Sequence, residues 1–215
     1  MLWSAIATFA AAFSLPVKPA DFASAASWDE AYSEPGGCVA ADWLLPYDEL
    51  RSALLDALSP LRQGCRLLEA GCGTSPLAAE LVASGYGVVA TDFSSTVIDA
   101  MREKHSGSSA VEGLSFEVAD VRATSFDDAT FDGVVDKGTL DAICVGEGFD
   151  YEAARASAEV SRVLRPSGLW VCVSLMPSTV IVPLLERAEW KSISSEKLGM
   201  ASSSTPVHMH IAVRA

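Results

Sequence analysis

At 215 residues, half of them apolar, the chain is long enough for one domain with a sizeable buried core. A formal net charge of −13 and a pI near 4.5 argue against a nucleic-acid surface, which needs clustered Lys and Arg to neutralise phosphates. Five dispersed cysteines, odd in number and without a Cys-x-x-Cys pair, suggest neither a disulfide framework nor a zinc site and fit a reducing, cytoplasmic compartment.

Residues Met1 to Leu15 are almost wholly apolar, and Ala23-Ser24-Ala25 resembles a small-residue cleavage site. The basic segment of a signal peptide is missing, and the run falls short of the roughly 20 apolar residues that span a bilayer. Residues 1–27 are expected to be an apolar leader, disordered or targeting the chain to an organelle, ahead of a single domain over residues 28–215. No membrane association is expected from the remainder.

Trp28 and Tyr32, four apart, share one face of a helical turn that Pro35-Gly36-Gly37 breaks. Trp43 falls in a loop. Tyr47 to Leu58 then reads as an amphipathic helix, with Leu50, Leu54, Ala57 and Leu58 on one stripe. From Arg66 onward strands and helices alternate. Leu67 to Glu69 reads as a strand, Pro76 to Ala83 as a helix opened by Ser75, and Gly87 to Thr91 as a strand ending at Asp92. Ser95 to Arg102 is helical, Leu114 to Ala119 extended up to Asp120, and Phe131 to Val135 extended up to Asp136. A helix over Tyr151 to Leu164 precedes a strand over Leu169 to Ser174, and Val180 to Arg187 is helical again. Trp190 to Ser194 and Val207 to Val213, with no helix between them, predict an antiparallel hairpin at the sheet edge. The fold class is α/β: a Rossmann-like, doubly wound, mostly parallel seven-stranded sheet with an antiparallel C-terminal hairpin strand.

In such sheets ligands bind beyond the carboxyl ends of the strands. The Gly71-Cys72-Gly73 turn lies at one such end, and Asp92, nineteen residues after Gly73, stands where a carboxylate can accept from ribose hydroxyls. Asp120 can accept from an adenine amino group while the Val121 amide serves a ring nitrogen. A dinucleotide fingerprint wants a small third residue where Pro76 stands, so S-adenosylmethionine, which has no pyrophosphate to cradle, is the better ligand.

Glu69-Ala70-Gly71-Cys72-Gly73, Asp92-Phe93, Asp120-Val121 and above all Asp136-Lys137-Gly138-Thr139-Leu140-Asp141-Ala142 resemble the class I, seven-strand methyltransferases. Among these the chain is most similar to the branch that methylates lysines of elongation factor 1-alpha, whose pattern Trp28-x-x-x-Tyr32, Asp42-Trp43 and Val207 to Ile211 also fit. The resemblance implies a cofactor site of Trp28, Tyr32, Trp43, Glu69, Gly71, Gly73, Asp92, Phe93, Asp120, Val121 and Lys137. It further implies a protein substrate of the elongation factor 1-alpha kind and a monomeric enzyme. Two departures stand out: Ser75 replaces a common third glycine, and Leu44 replaces an aromatic after Asp-Trp.

Methyl transfer to a lysine needs alignment and a deprotonated amine. Asp136 and Asp141 are the catalytic candidates for orienting an incoming ammonium, although Asp136 serves equally well as a helix cap. His208 and His210 point to one face without a third ligand, so no metal site is expected. A small-molecule methyltransferase and a non-catalytic binding module of the same fold stay open as alternatives.

Overall fold

The computed structural model describes residues 22, 24–33, 42–107, 111–145, 148–201 and 205–215. Most of the apolar leader and the Pro35-Gly36-Gly37 break lie outside the described residues. Phe22 is buried and a helix begins at Ala25, so part of the stretch expected to be leader packs with the domain.

The elements alternate as the pattern requires. Helix α1 (Ala25–Ser33) and helix α2 (Tyr47–Leu58) lead into β1 (Arg66–Ala70), α3 (Leu77–Ala83), β2 (Gly87–Asp92), α4 (Ser95–Lys104), β3 (Leu114–Val118) and β4 (Phe131–Lys137). A short helix α5 (Thr139–Ile143), absent from the sequence expectation, follows β4 directly. Then come α6 (Phe149–Val163), β5 (Leu164–Ser174), α7 (Ser178–Leu185), β6 (Trp190–Met200) and β7 (Pro206–Arg214).

The seven strands form one sheet in the order β3-β2-β1-β4-β5-β7-β6. All neighbours from β3 to β5 are parallel, while β7 runs antiparallel to both β5 and β6. The expected edge hairpin is present, with β7 inward and β6 outermost, and both strands are longer than the sequence indicated. The order reverses at β1, which has β2 on one side and β4 on the other, and a crevice opens at such a switch point.

Period-two alternation sorts the sheet into two cores. Leu67, Val88, Ala90, Val135, Val171 and Val173 meet α2, α3 and α4 on one face. Leu68, Val89, Val134, Trp170 and Cys172 meet α5, α6 and α7 on the other. Leu50, Leu54 and Leu58 are wholly buried, one turn apart along α2, and Asp48 and Glu49 in its first turn favour the helix dipole. Helix α3 starts one residue later than expected, with Pro76 at its N-cap and Ser75 Oγ accepting from the Leu77 amide at 3.3 Å.

A Leu54→Ala substitution leaves a cavity that the packed face cannot refill. It is expected to lower unfolding stability by about 3 kcal/mol, measured by urea denaturation at unchanged secondary structure.

Candidate active site

The switch point holds a cleft of about 730 Å³, counting its open mouth. The turn after β1 contributes Gly71 and Gly73, the end of β2 Asp92 and Phe93, the end of β3 Asp120 and Val121, and the end of β4 Lys137. Trp28, Tyr32 and Trp43 arrive from the N-terminal segment. Ten of the eleven expected cofactor residues therefore line one cleft; the eleventh, Glu69, is buried on β1 and does not. Phe22, Arg122 and Ile143 also line the cleft without any sequence signal, as do Thr139 and Ala142 of the Asp136 to Ala142 run, to which no site role had been given.

The aromatics form a continuous wall. Ring centroids lie 5.5 Å apart for Phe22 and Trp28, 5.7 Å for Trp28 and Tyr32, and 6.2 Å, edge to face, for Trp28 and Trp43. Trp28 Nε1 donates to the Phe22 carbonyl at 3.0 Å, which ties the residue expected in the leader to this wall.

Gly71 and Gly73 both have positive φ, 69° and 49°. A Cβ on Gly71 would sit 2.0 Å from Thr139 Oγ1, and one on Gly73 would sit 3.0 Å from the Tyr32 hydroxyl. The glycines thus make room for the turn after β4 and for the aromatic wall. Thr139 Oγ1 uses that room to donate to the Ala70 carbonyl at 2.8 Å.

Asp92 Oδ2 accepts from the Gly73 amide at 3.1 Å and Oδ1 from the Ser94 amide at 3.0 Å. Burial pushes its carboxyl up to about 6 against these amide bonds. Asp120 is gripped by Arg122, whose guanidinium reaches both carboxylate oxygens at 2.7 to 3.0 Å. Arg122 also pairs with Glu152 at 3.1 Å. The Val121 amide beside it donates to none of the described residues. Lys137, expected at the cofactor site, pairs with Asp42 Oδ1 at 2.6 Å and the Trp43 carbonyl at 2.7 Å. Asp42 in turn accepts from Ser75 Oγ and the Tyr47 amide, both at 3.0 Å.

Glu69 is buried with Oε2 lacking a hydrogen-bond partner. Burial pushes its carboxyl up to about 8, opposed by the Lys137 charge. An unpartnered buried carboxylate oxygen, a free strand-end amide, a ribose-suited carboxylate and an aromatic wall are the donor and acceptor set that a charged amino-acid nucleoside requires. The residues fit such a ligand.

Asp136 and Asp141, expected to orient an ammonium, do not line the cleft. Asp136 Oδ1 accepts from the Thr139 amide at 2.8 Å and Oδ2 from the Cys172 thiol at 3.3 Å, so it caps α5 from beneath. Asp141 Oδ1 accepts from the Leu175 amide at 3.0 Å, fixing the turn after β5. Alternation along β4 sends Lys137 and Asp136 to opposite faces, and Lys137 is the one that lines the cleft. His210, wholly buried, binds the Met176 carbonyl through Nε2 at 2.9 Å and Ser195 Oγ through Nδ1 at 2.7 Å. Among the described residues, no group of three potential metal ligands comes together, and no helix is long and apolar enough to cross a membrane.

Residues 68–172 match the methyltransferase domain family, the span that holds every strand-end residue of the cleft. The chain belongs to the class I, S-adenosylmethionine-dependent methyltransferases. Its curated relatives include the EEF1A lysine methyltransferase 4 of Bos taurus, 33% identical over 74% of this chain and 64% of that protein. They also include the eEF1A lysine and N-terminal methyltransferase of Mus musculus, 35% identical over 78% of this chain and 24% of that protein. The chain thus spans less than two thirds of these relatives. A Burkholderia thailandensis 1,6-didemethyltoxoflavin-N1-methyltransferase, solved with S-adenosylhomocysteine, shares the fold with a TM-score of 0.69 at 18% identity, over 93% of this chain and 91% of that one.

Burial pushes Asp141 up to about 7, helped by the Asp136 charge, and Asp136 up to about 6. A carboxyl with a raised folded pKa holds its proton more tightly when folded, so its contribution is present at low pH and fades as pH rises through the folded value. Thermal melts are expected to show Tm falling between about pH 4 and about pH 7, with Asp141→Asn flattening part of that fall.

Proposed function

We propose that this protein transfers a methyl group from S-adenosylmethionine to a lysine amine of an elongation factor 1-alpha type protein. The observation that carries the reading is the single cleft in which the aromatic wall, the glycine turn and the strand-end acids Asp92 and Asp120 converge. The curated relatives named for lysine methylation of that factor support the substrate class.

When bound, the cofactor supplies an electrophilic sulfonium methyl. Asp92 holds the ribose, and Phe93 and the Val121 amide define the adenine site. Gly71 and Gly73 would let the methionyl end approach the turn after β1, with Glu69 buried beneath it. The faces of Trp28, Tyr32, Trp43 and Phe22 exclude water and favour positive charge at the sulfur. Lys137 keeps the wall in place through Asp42 and the Trp43 carbonyl.

Asp92 and Asp120 are the only carboxylates lining the cleft among the described residues, and both are engaged by backbone amides or Arg122. The chain therefore contributes alignment rather than a general base, and the amine enters in its neutral form. The buried thiols of Cys65, Cys72, Cys144 and Cys172 suit a reducing compartment, and we place the protein in the cytoplasm.

Incubation with methyl-labelled cofactor and a cell extract tests the reading. A labelled band of elongation-factor size is expected, weakened about a hundredfold by Asp92→Ala, because that substitution removes the ribose contact and frees the glycine turn. Label confined to the low-molecular-weight fraction would replace the protein substrate with a small molecule. Absence of transfer would leave a binding module.

A further inference from the structure

Trp28 and Tyr32 both ride on α1, so whatever fixes α1 decides whether the cleft has a wall. The helix has only nine residues, too few to be stable in isolation. Only Trp28 and Ala31 of α1 are buried, and neither reaches across to the sheet through a polar bond.

Asp29 makes a polar connection to the start of α4. Asp29 Oδ1 accepts from Ser94 Oγ at 2.6 Å and from the Thr96 amide at 3.1 Å. Ser94 is itself the N-cap of α4, accepting from the Val97 amide at 3.3 Å. Its own amide donates to Asp92 Oδ1, and Asp92 Oδ2 accepts from the Gly73 amide. An unbroken series of hydrogen bonds therefore runs from the helix that carries the aromatic wall, through the start of α4, to the strand-end acid and the glycine turn. Ser94 is wholly buried, so the series is shielded from competing water at its middle. The hydrogen bond from Ser94 also holds the Asp29 carboxyl below its usual range.

We propose that Asp29 is a positioning residue for nucleoside binding: it touches no ligand, and it sets the Trp28–Tyr32 wall in register with Asp92 by latching α1 to the start of α4. The proposal rests on the cleft being a nucleoside site, as argued above. It accounts for the position of an acid between the two aromatics, one residue after Trp28. There its side chain leaves the cleft-facing stripe and meets the neighbouring helix.

Calorimetric titration of S-adenosylhomocysteine into the full chain tests it, with hydrogen exchange of the 24–33 segment read in parallel. Asp29→Ala is expected to weaken binding about tenfold, the scale of a lost cap with two acceptor bonds. It is also expected to speed exchange in the 24–33 segment while leaving the β1 and β4 segments unchanged. Asp29→Asn keeps the accepting Oδ1 and is expected to bind within about twofold of the parent. The proposal is overturned if Asp29→Ala binds as tightly as the parent, if Asp29→Asn is as weak as Asp29→Ala, or if exchange quickens throughout the sheet. A parent protein that binds no S-adenosylhomocysteine refutes the nucleoside site itself, and the exchange pattern still decides whether Asp29 latches α1.

Discussion

Lys137 stands at the carboxyl end of β4 with its ammonium almost wholly removed from water, and that charge needs a partner. Leaving such a buried charge unpaired costs about 3 to 5 kcal/mol, so the segment that supplies its partners is bound to lie across the strand ends. Asp42 and the Trp43 carbonyl supply them. The same Asp42 carboxylate accepts from Ser75 at the glycine turn and from the first amide of α2. A single acid thus gathers the N-terminal segment, the end of β4 and the turn after β1. Trp43 is carried over the cleft as a consequence.

The strand-end acids have divided into two uses. Asp92 and Asp120 face the crevice at the switch point, where their carboxylates are held in place by the Gly73 amide and by Arg122. Asp132 and Asp136 are spent on the scaffold: Asp132 accepts from the Arg66 amide and from Arg165, and Asp136 caps the short helix after β4. Place in the sheet separates them: Asp132 sits at the amino end of β4, away from the crevice, and Asp136 is turned beneath α5. Residue type alone does not distinguish them.

This division explains what was legible in the sequence. Apolar runs at Leu67-Leu68, Val88-Val89 and Val134-Val135, with acids or glycines at their ends, were enough to give the parallel sheet and Gly71, Gly73, Asp92, Asp120 and Val121 of the cleft; Trp28, Tyr32, Trp43, Phe93 and Lys137 came from the family resemblance. The spacing of Leu50, Leu54 and Leu58 gave α2 to the residue. The failures share a cause, which is contact between residues distant in the chain. Gly71 is glycine because Thr139 approaches it, Lys137 is occupied because Asp42 reaches it, and Phe22 joins the wall because Trp28 donates to its carbonyl. None of these pairings leaves a local pattern.

The central claim is that the switch-point cleft is an S-adenosylmethionine site walled by aromatics from the N-terminal segment. A crystal structure of the chain with S-adenosylhomocysteine measures this most directly. The account predicts ribose hydroxyls on Asp92, the adenine edge on the Val121 amide, and the methionyl end over the glycine turn, beneath Trp28, Tyr32 and Trp43. A nucleoside bound elsewhere, or bound there with Asp92 more than one water away, would contradict it.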